Sequence, residues 1–186
     1  MPRAGLDAPT VAAAAADLAD EVSFHNVTMG LLADRLGVRT PSLYKHVTGL
    51  AEVRHRVAVL AVSQLGDAVR DAVGGRAGRD ALAALATAFR DFVTGHPGRY
   101  AATVGAEFTG PDDPLLAASI RVLDAIAAVL TGYGIPADTM DHALRVMRST
   151  FHGFATLQAA NAFTWTGDPD DSFHWMIEFV DRGLRP

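Results

Sequence analysis

"TMGLLADRLGVRTPSLYKHV", residues 28–47, holds two short apolar repeats on either side of a glycine. Leu32, Ala33 and Leu36 share one helical face, Val38 follows Gly37, and Leu43 and Val47 repeat at four-residue spacing. Thr28 has the side chain of an N-cap, able to accept from the first backbone N–H groups of a helix. Gly37 suits the left-handed position that ends one. Thr40 is read as the cap of a second helix, with Pro41 at its first position, where a missing N–H costs least. That helix is expected to end near Val47, before Thr48-Gly49. Two short helices across a three- to four-residue turn make a helix-turn-helix.

The apolar positions then close over a core with the preceding helix. Arg39, Thr40, Ser42, Tyr44, Lys45 and His46 are left to point outward or to flank the contact. Lys45 is the only lysine of the chain. A polar helix in a bundle is more often a plain solvated helix than a binding surface. Here the capped turn, the tyrosine and the local charge favour binding. In this motif the second helix enters the major groove, where hydroxyls and cations serve phosphates and base edges.

The whole chain has 186 residues and a formal charge of −5, which does not advertise a nucleic-acid partner. Its distribution says more. Residues 1–60 carry six basic and six acidic side chains, so the acidic excess lies beyond them. Five of those six bases fall within 35–56, with His46 and His55, opposed only by Glu52. A local positive stripe on an acidic protein is compatible with DNA binding. Hydrophobic residues reach 49%, enough for a packed core and too many for disorder. The chain has no cysteine, which excludes disulfides and cysteine-ligated zinc and points to a reducing, cytoplasmic setting. The apolar run Val11–Ala16 is too short, and too soon followed by Asp17 and Asp20, for a signal peptide or a membrane span.

Strand signals are nearly absent, and the pattern predicts an all-α protein of nine helices. The first covers about Thr10–Val22, with Thr10 as its cap. A long fourth helix runs from about Leu50 to Val73, and a fifth covers about Asp80–Thr94. The sixth is expected over Arg99–Phe108, the seventh over Pro114–Tyr133, the eighth over Ala137–Ala162 and the ninth over Asp171–Arg182. This divides the chain into a helix-turn-helix domain, 1–49, and a larger helical domain, 50–186.

These residues carry a resemblance to the TetR family of bacterial repressors, whose DNA-binding signature runs roughly T-x-x-x-L-A-x-x-x-G-V, then L-Y-x-H followed by Phe or Val. Thr28, Leu32, Ala33, Gly37, Val38, Leu43, Tyr44, His46 and Val47 match it. The resemblance implies that Thr28, Tyr44 and His46 approach DNA phosphates. It places Arg39, Thr40, Pro41, Ser42 and Lys45 where members touch bases or backbone. Ser23 stands where a glycine is usual after the first helix. Gly30 replaces a long base-reading side chain of some members, and Leu50 a common phosphate-binding lysine. Arg54, Arg56 and the N-terminal Arg3 are the substitute cations.

"FHGFATLQAANAF", 151–163, resembles TetR-type C-terminal domains with a Trp-His-Gly triplet on the penultimate long helix, Phe151 replacing the tryptophan. The eighth and ninth helices are apolar on more than one face, so they need a partner. The resemblance supplies a second subunit, with Gly153, Leu157, Ala160, Trp175 and Phe179 at a homodimer interface. Phe89, Phe92, Tyr100, Phe108, Tyr133, Met147, Thr150, Phe151 and Phe154 are candidates to line a small-molecule cavity. Any one of them is more often simple core, and the family tips the set toward a pocket. No basic cluster lies among them, so the expected effector is largely apolar.

Seven histidines occur without H-E-x-x-H spacing, and there is no G-x-S-x-G elbow or Gly-rich phosphate loop. No catalytic residue, metal site or cofactor is expected, and "DPDD", 168–171, reads as a helix start. The expectation is a homodimeric repressor bound to double-stranded, pseudo-palindromic operator DNA and released by a small molecule. The alternatives are a helix-turn-helix module controlled by a protein partner and, with no motif to support it, a helical-bundle enzyme.

Overall fold

The computed structural model describes residues 6–185, and among these every regular element is helical. The α-helices are α1 Ala8–Val22, α2 Met29–Leu36, α3 Thr40–Leu43, α4 Leu50–Val73, α5 Gly78–Gly95, α6 Pro97–Thr103, α7 Pro114–Gly132, α8 Met140–Ala159 and α9 Pro169–Leu184. A single 3₁₀ turn, Phe24–Asn26, joins α1 to α2. Arg3 lies outside the described residues. The chain packs as two units. One takes the residues up to Ser63 together with His96–Leu116, the other Gln64–Gly95 and everything from Ala117. The first therefore extends beyond the helix-turn-helix division at residue 49 to include the start of α4 and all of α6.

In the first unit α1 supplies the core. Val11, Ala15, Ala16, Leu18 and Ala19 are buried, and α1 packs against both α2 and α6. Asp7, not Thr10, caps α1: its Oδ1 accepts the Thr10 N–H at 2.8 Å. Pro9 in the first turn explains the earlier start, since its missing N–H is harmless there. Leu50 packs on a cluster of Leu18, Ala19 and Val27 with Val22 and Phe24.

The α1–α6 contact is unusually close. A Cβ on Gly98 would lie 1.9 Å from the Ala19 carbonyl oxygen. Asp20 fastens the same junction. Its Oδ1 accepts the Arg99 backbone N–H at 2.8 Å, and its Oδ2 lies 3.0 Å from Arg99 Nε and 3.1 Å from His96 Nδ1. Arg99 also pairs with Asp17. Helix α6 ends at Thr103, short of the expected Phe108. Beyond it Gly105 takes φ +74°, and Asp113 gathers the loop by accepting from the Thr109 N–H at 2.7 Å and hydroxyl at 2.9 Å.

In the second unit α5 lies on α8 and α9. Leu82, Leu85, Phe89 and Phe92 of α5 are buried, as are Met147, Phe151 and Ala155 of α8 and Phe173 and Ile177 of α9. The Phe89 and Phe151 rings are 6.3 Å apart. Where α4 meets α7, a Cβ on Gly66 would come within 3.2 Å of Val122 Cγ2. Tyr133, at the end of α7, donates its hydroxyl to the buried Asp181 Oδ1 at 2.6 Å. Asp168 caps α9, accepting the Asp170 N–H at 2.8 Å, as the "DPDD" start signal requires.

Two substitutions test this packing. Gly98→Ala forces a methyl into a backbone carbonyl and should destabilise the protein by about 3 kcal/mol, read by denaturant unfolding. Ser23 holds φ +74° and ψ +142°, a region that suits glycine, and its side chain is exposed. Ser23→Gly should therefore stabilise by about 1 kcal/mol, raising the thermal midpoint.

Candidate nucleic-acid interface

Thr28 caps α2 as expected, its Oγ1 accepting the Leu31 N–H at 3.2 Å. That use of a lone pair leaves the hydroxyl proton able to donate outward. Gly37 ends α2 at φ +65° and ψ +32°, with its N–H 3.1 Å from the Asp34 carbonyl and the Val38 N–H 3.0 Å from that of Ala33. This left-handed closure turns the chain sharply into α3. Helix α3 is shorter than expected. Arg39 occupies its cap position with no side-chain capping bond, Thr40 is already helical, and the regular part ends at Leu43. Residues 44–47 continue as a turn, the His46 and Val47 N–H groups reaching back to the Leu43 carbonyl at 2.9 and 3.1 Å.

Burial divides the motif into two faces. Leu32, Ala33, Leu43 and Val47 are buried. Thr28, Arg39, Pro41, Tyr44 and Lys45 are exposed, and Thr40, Ser42 and His46 are partly so. Tyr44 leaves 55% of its surface open, a large fraction for an aromatic ring. Gly30 also lies on the open side, and a Cβ there would meet nothing closer than Thr28 Oγ1 at 3.8 Å.

The basic stripe separates into two kinds of cation. Arg35 pairs with Glu21 of α1. Arg54 donates to the His25 carbonyl at 3.2 Å, its guanidinium 5.7 Å from the centre of the Phe24 ring. Arg56 donates to Glu52 Oε1 at 2.7 Å. These three serve the fold, and Arg54 and Arg56 do not stand free as substitute phosphate ligands. Arg39 and Lys45 make no ion pair among the described residues; Arg39 opens α3 and Lys45 follows the exposed Tyr44. Composition could not separate the two kinds, because the partners lie on other elements or on the next helical turn.

Glu52 holds the entry to α4. Its Oε2 accepts the Thr48 N–H at 2.7 Å and the Thr48 hydroxyl at 2.8 Å. The Thr48 N–H, then Arg56 and the Thr48 hydroxyl, hold its carboxyl down to about 2. Farther along α4, His55 Nε2 lies 3.0 Å from Asp113 Oδ1. Asp113 is buried and also accepts the Leu115 N–H at 2.8 Å. The Thr109 N–H first, then Leu115, the Thr109 hydroxyl and His55, keep its carboxyl well below the ordinary range. Sequence reasoning missed this contact. The Asp-Pro helix start at 113–114 was legible, but its partner lies 58 residues away.

The cavity candidates do not all fall in one unit. Phe89, Phe92, Met147 and Phe151 are buried in the second, where Thr150 and Phe154 are partly buried. Tyr100 is buried in the first unit. Phe108, on the loop after α6, is 53% exposed, since α6 ends before reaching it. Of the interface candidates, Leu157, Ala160, Trp175 and Phe179 are exposed and Gly153 is partly so. Trp175 stacks on Phe179 with ring centres 5.4 Å apart. No group of three or more His, Asp or Glu side chains could hold a metal among the described residues.

An anchored helix-turn-helix followed by a larger helical bundle defines the class of one-chain transcriptional regulators. Residues 11–47 match the model of bacterial regulatory proteins of the tetR family, and residues 82–180 match the tetracyclin repressor-like C-terminal domain. Across 98% of its length, and 95% of the relative's, the chain is 33% identical to the HTH-type transcriptional regulator YobS of Bacillus subtilis. The chain belongs to the TetR family of transcriptional regulators. Its fold is shared with a TetR variant from Acinetobacter baumannii AYE solved with minocycline, at TM-score 0.71 and 24% identity over 97% of each chain. It is shared too with BioQ solved on its double-stranded DNA operator, at TM-score 0.69 and 18% identity over 97% of this chain and 98% of that one.

Glu52 gives a pH test. Its carboxyl titrates lower folded than its ordinary 4.5, so ionisation favours the folded chain. That contribution is complete above pH 4.5 and is lost as pH falls through about 2. Glu52→Gln should lower the thermal midpoint at neutral pH and flatten its decline across this window. An unchanged acid slope would show that Glu52 contributes nothing to it.

Proposed function

We propose that the chain is a repressor that binds a pseudo-palindromic operator as a homodimer and leaves it when a small, largely apolar molecule binds its larger helical region. The observation that carries the DNA reading is the pairing pattern of the basic stripe. Arg39, at the cap of α3, and Lys45, directly after Tyr44, are exposed and make neither an ion pair nor a side-chain hydrogen bond among the described residues, whereas Leu43 between them is wholly buried. Cations without a protein partner are available to neutralise phosphates and release their counterions. Thr28, Tyr44 and His46 take phosphates, and Thr40, Pro41 and Ser42 approach the groove.

Two copies place two reading heads on one duplex, so the half-sites follow the protein's twofold. The exposed apolar side chains Leu157, Trp175 and Phe179, with Ala160 and Gly153, form the face that joins them. Residues 1–49 act as the reading head and 50–186 as the regulatory and dimerising part. Phe89, Phe92, Met147, Thr150, Phe151 and Phe154, all of the second unit, supply the effector walls. The effector acts by preferring the conformation of α4 that mis-spaces the heads, because a ligand of equal affinity for both conformations shifts nothing. The minocycline and operator complexes of the structural relatives support this division of labour. The protein needs no catalytic residue or cofactor and works in the cytoplasm.

The test begins by selecting bound duplexes from random DNA, followed by a screen for small molecules that release them. Lys45→Ala and Arg39→Ala should each weaken operator binding and, if they touch phosphate, lower the salt slope by about one unit. Arg35→Ala, which loses only its Glu21 partner, should leave the slope unchanged. Equal slopes in all three variants would remove α3 from the interface.

A further inference from the structure

The Phe154 ring of α8 lies 5.3 Å from the Phe173 ring of α9, centre to centre. Arg90 of α5 binds Gln158, one turn further along α8, at 2.8 Å, and also Asp170, nearly one turn back on α9. The two helices therefore run antiparallel. Each carries one outward stripe. On α8, Arg145, Ser149, Gly153 and Leu157 recur at four-residue spacing. On α9, Asp171, Trp175 and Phe179 do the same, followed by Arg182. All of these are exposed except Gly153, which is partly so. Val146, Leu157, Trp175 and Phe179 leave 61%, 47%, 63% and 60% of their surface open, a concentration of large apolar side chains that calls for a cover.

The antiparallel register sorts the charge on these helices. Arg145 lies nine residues before Phe154 and Arg182 nine after Phe173, so the two stand level at one end, with Arg148 nearby. The other end holds Asp168, Asp170 and Asp171, and from Ser149 to Asp181 the chain has no lysine or arginine. Carboxylates nearer the basic end are engaged. Glu178 pairs with Arg79 of α5, and the buried Asp181 accepts from Tyr133 and pairs with Arg185. Asp141 approaches Arg145 only to 3.7 Å, both side chains being largely in solvent. At the acidic end Asp170 pairs with Arg90, and Asp168 caps α9. Arg148, Asp171 and Arg182 make no ion pair among the described residues. The outward side is thus basic at one end, acidic at the other and apolar between.

We propose that a second copy covers this face turned end over end, about a twofold axis perpendicular to α8 and α9, so that Arg145 of each copy meets Asp171 of the partner subunit. A face with opposite charge at its two ends complements itself only in that sense. An axis along the helices would set Arg145 against Arg182 of the partner subunit, like charge on like. Juxtaposed like charges cost more than an exposed ion pair returns, so the charge pattern acts chiefly by excluding the wrong arrangement. The twofold makes the contact isologous, and the Arg145–Asp171 pair occurs twice in it. This inference rests on the homodimer reading above and adds the direction in which the copies pack. The apolar residues supply the burial, and the charges at the two ends choose the axis.

The test measures self-association of the full-length protein by sedimentation at low salt. Arg145→Asp and Asp171→Arg should each weaken the dimer about tenfold, since each sets like charges face to face twice. An equal mixture of the two variants should recover the unmodified affinity as a heterodimer, because both crossed pairs are then opposite in sign. That recovery also shows both chains to be folded. The chain has no cysteine, so oxidation gives a second readout without background. Arg145→Cys mixed with Asp171→Cys should yield a disulfide-linked heterodimer, and Arg145→Cys mixed with Arg182→Cys should not. Tighter self-association of Arg145→Asp would place Arg145 against Arg182 of the partner subunit and overturn the proposal. So would a mixture no tighter than either variant alone. Variants that dimerise as the unmodified protein does would remove the packing direction and leave the homodimer standing. An unmodified protein that stays monomeric at micromolar concentration would overturn both.

Discussion

Four helical residues cannot hold a helix by their own hydrogen bonds, since the first turn fixes several dihedrals for a single bond. Helix α3 therefore depends on the burial of Leu43. That side chain is fully buried, as is Leu32 of the α2 that α3 packs against, and Val47 closes the turn behind them. Gly37 sets the angle at which the two helices meet. Everything polar on the reading side is positioned by this apolar anchor. Arg39 and Lys45 can stand free because neither is needed to hold α3 down.

The surroundings of the motif show the opposite arrangement. Arg35, Arg54 and Arg56 are each committed to a neighbour, and Glu52 ties Thr48 to the first turn of α4. Asp20 fastens α1 to the start of α6, and Asp113 fastens the end of the α6–α7 loop to His55 of α4. Gly98 lets the α6 backbone approach α1 more closely than any side chain would allow. The helix-turn-helix is thus braced on α1, α4 and α6 by directional contacts. A change in α4 or α6 has a short physical route to the reading helix.

Much of this was legible in the sequence because it is local. The Thr28 cap, the Gly37 stop and the limits of α4 follow from residue types within one or two turns. The lengths of α3 and α6 were overestimated, since tyrosine, lysine and histidine are acceptable helix formers and nothing nearby marks where the chain leaves helical geometry. The Thr10 cap was a near miss, Asp7 lying one turn earlier beside Pro9. The long-range contacts were not legible: Arg99 with Asp17, Arg79 with Glu178 and His55 with Asp113 join residues separated by 58 to 99 positions. Ser23 is instructive in the other direction. The glycine usual at that place is explained by the positive φ the serine is made to adopt.

Hydrogen–deuterium exchange of the full-length chain, free and bound to a duplex selected from random DNA, tests the anchored reading helix most directly. The backbone of residues 39–47 should become strongly protected on the duplex, with weaker protection at Thr28–Leu31. Protection confined to α8 and α9, or to α5, with residues 39–47 exchanging as in the free protein, would contradict the assignment of α3 as the element that meets DNA.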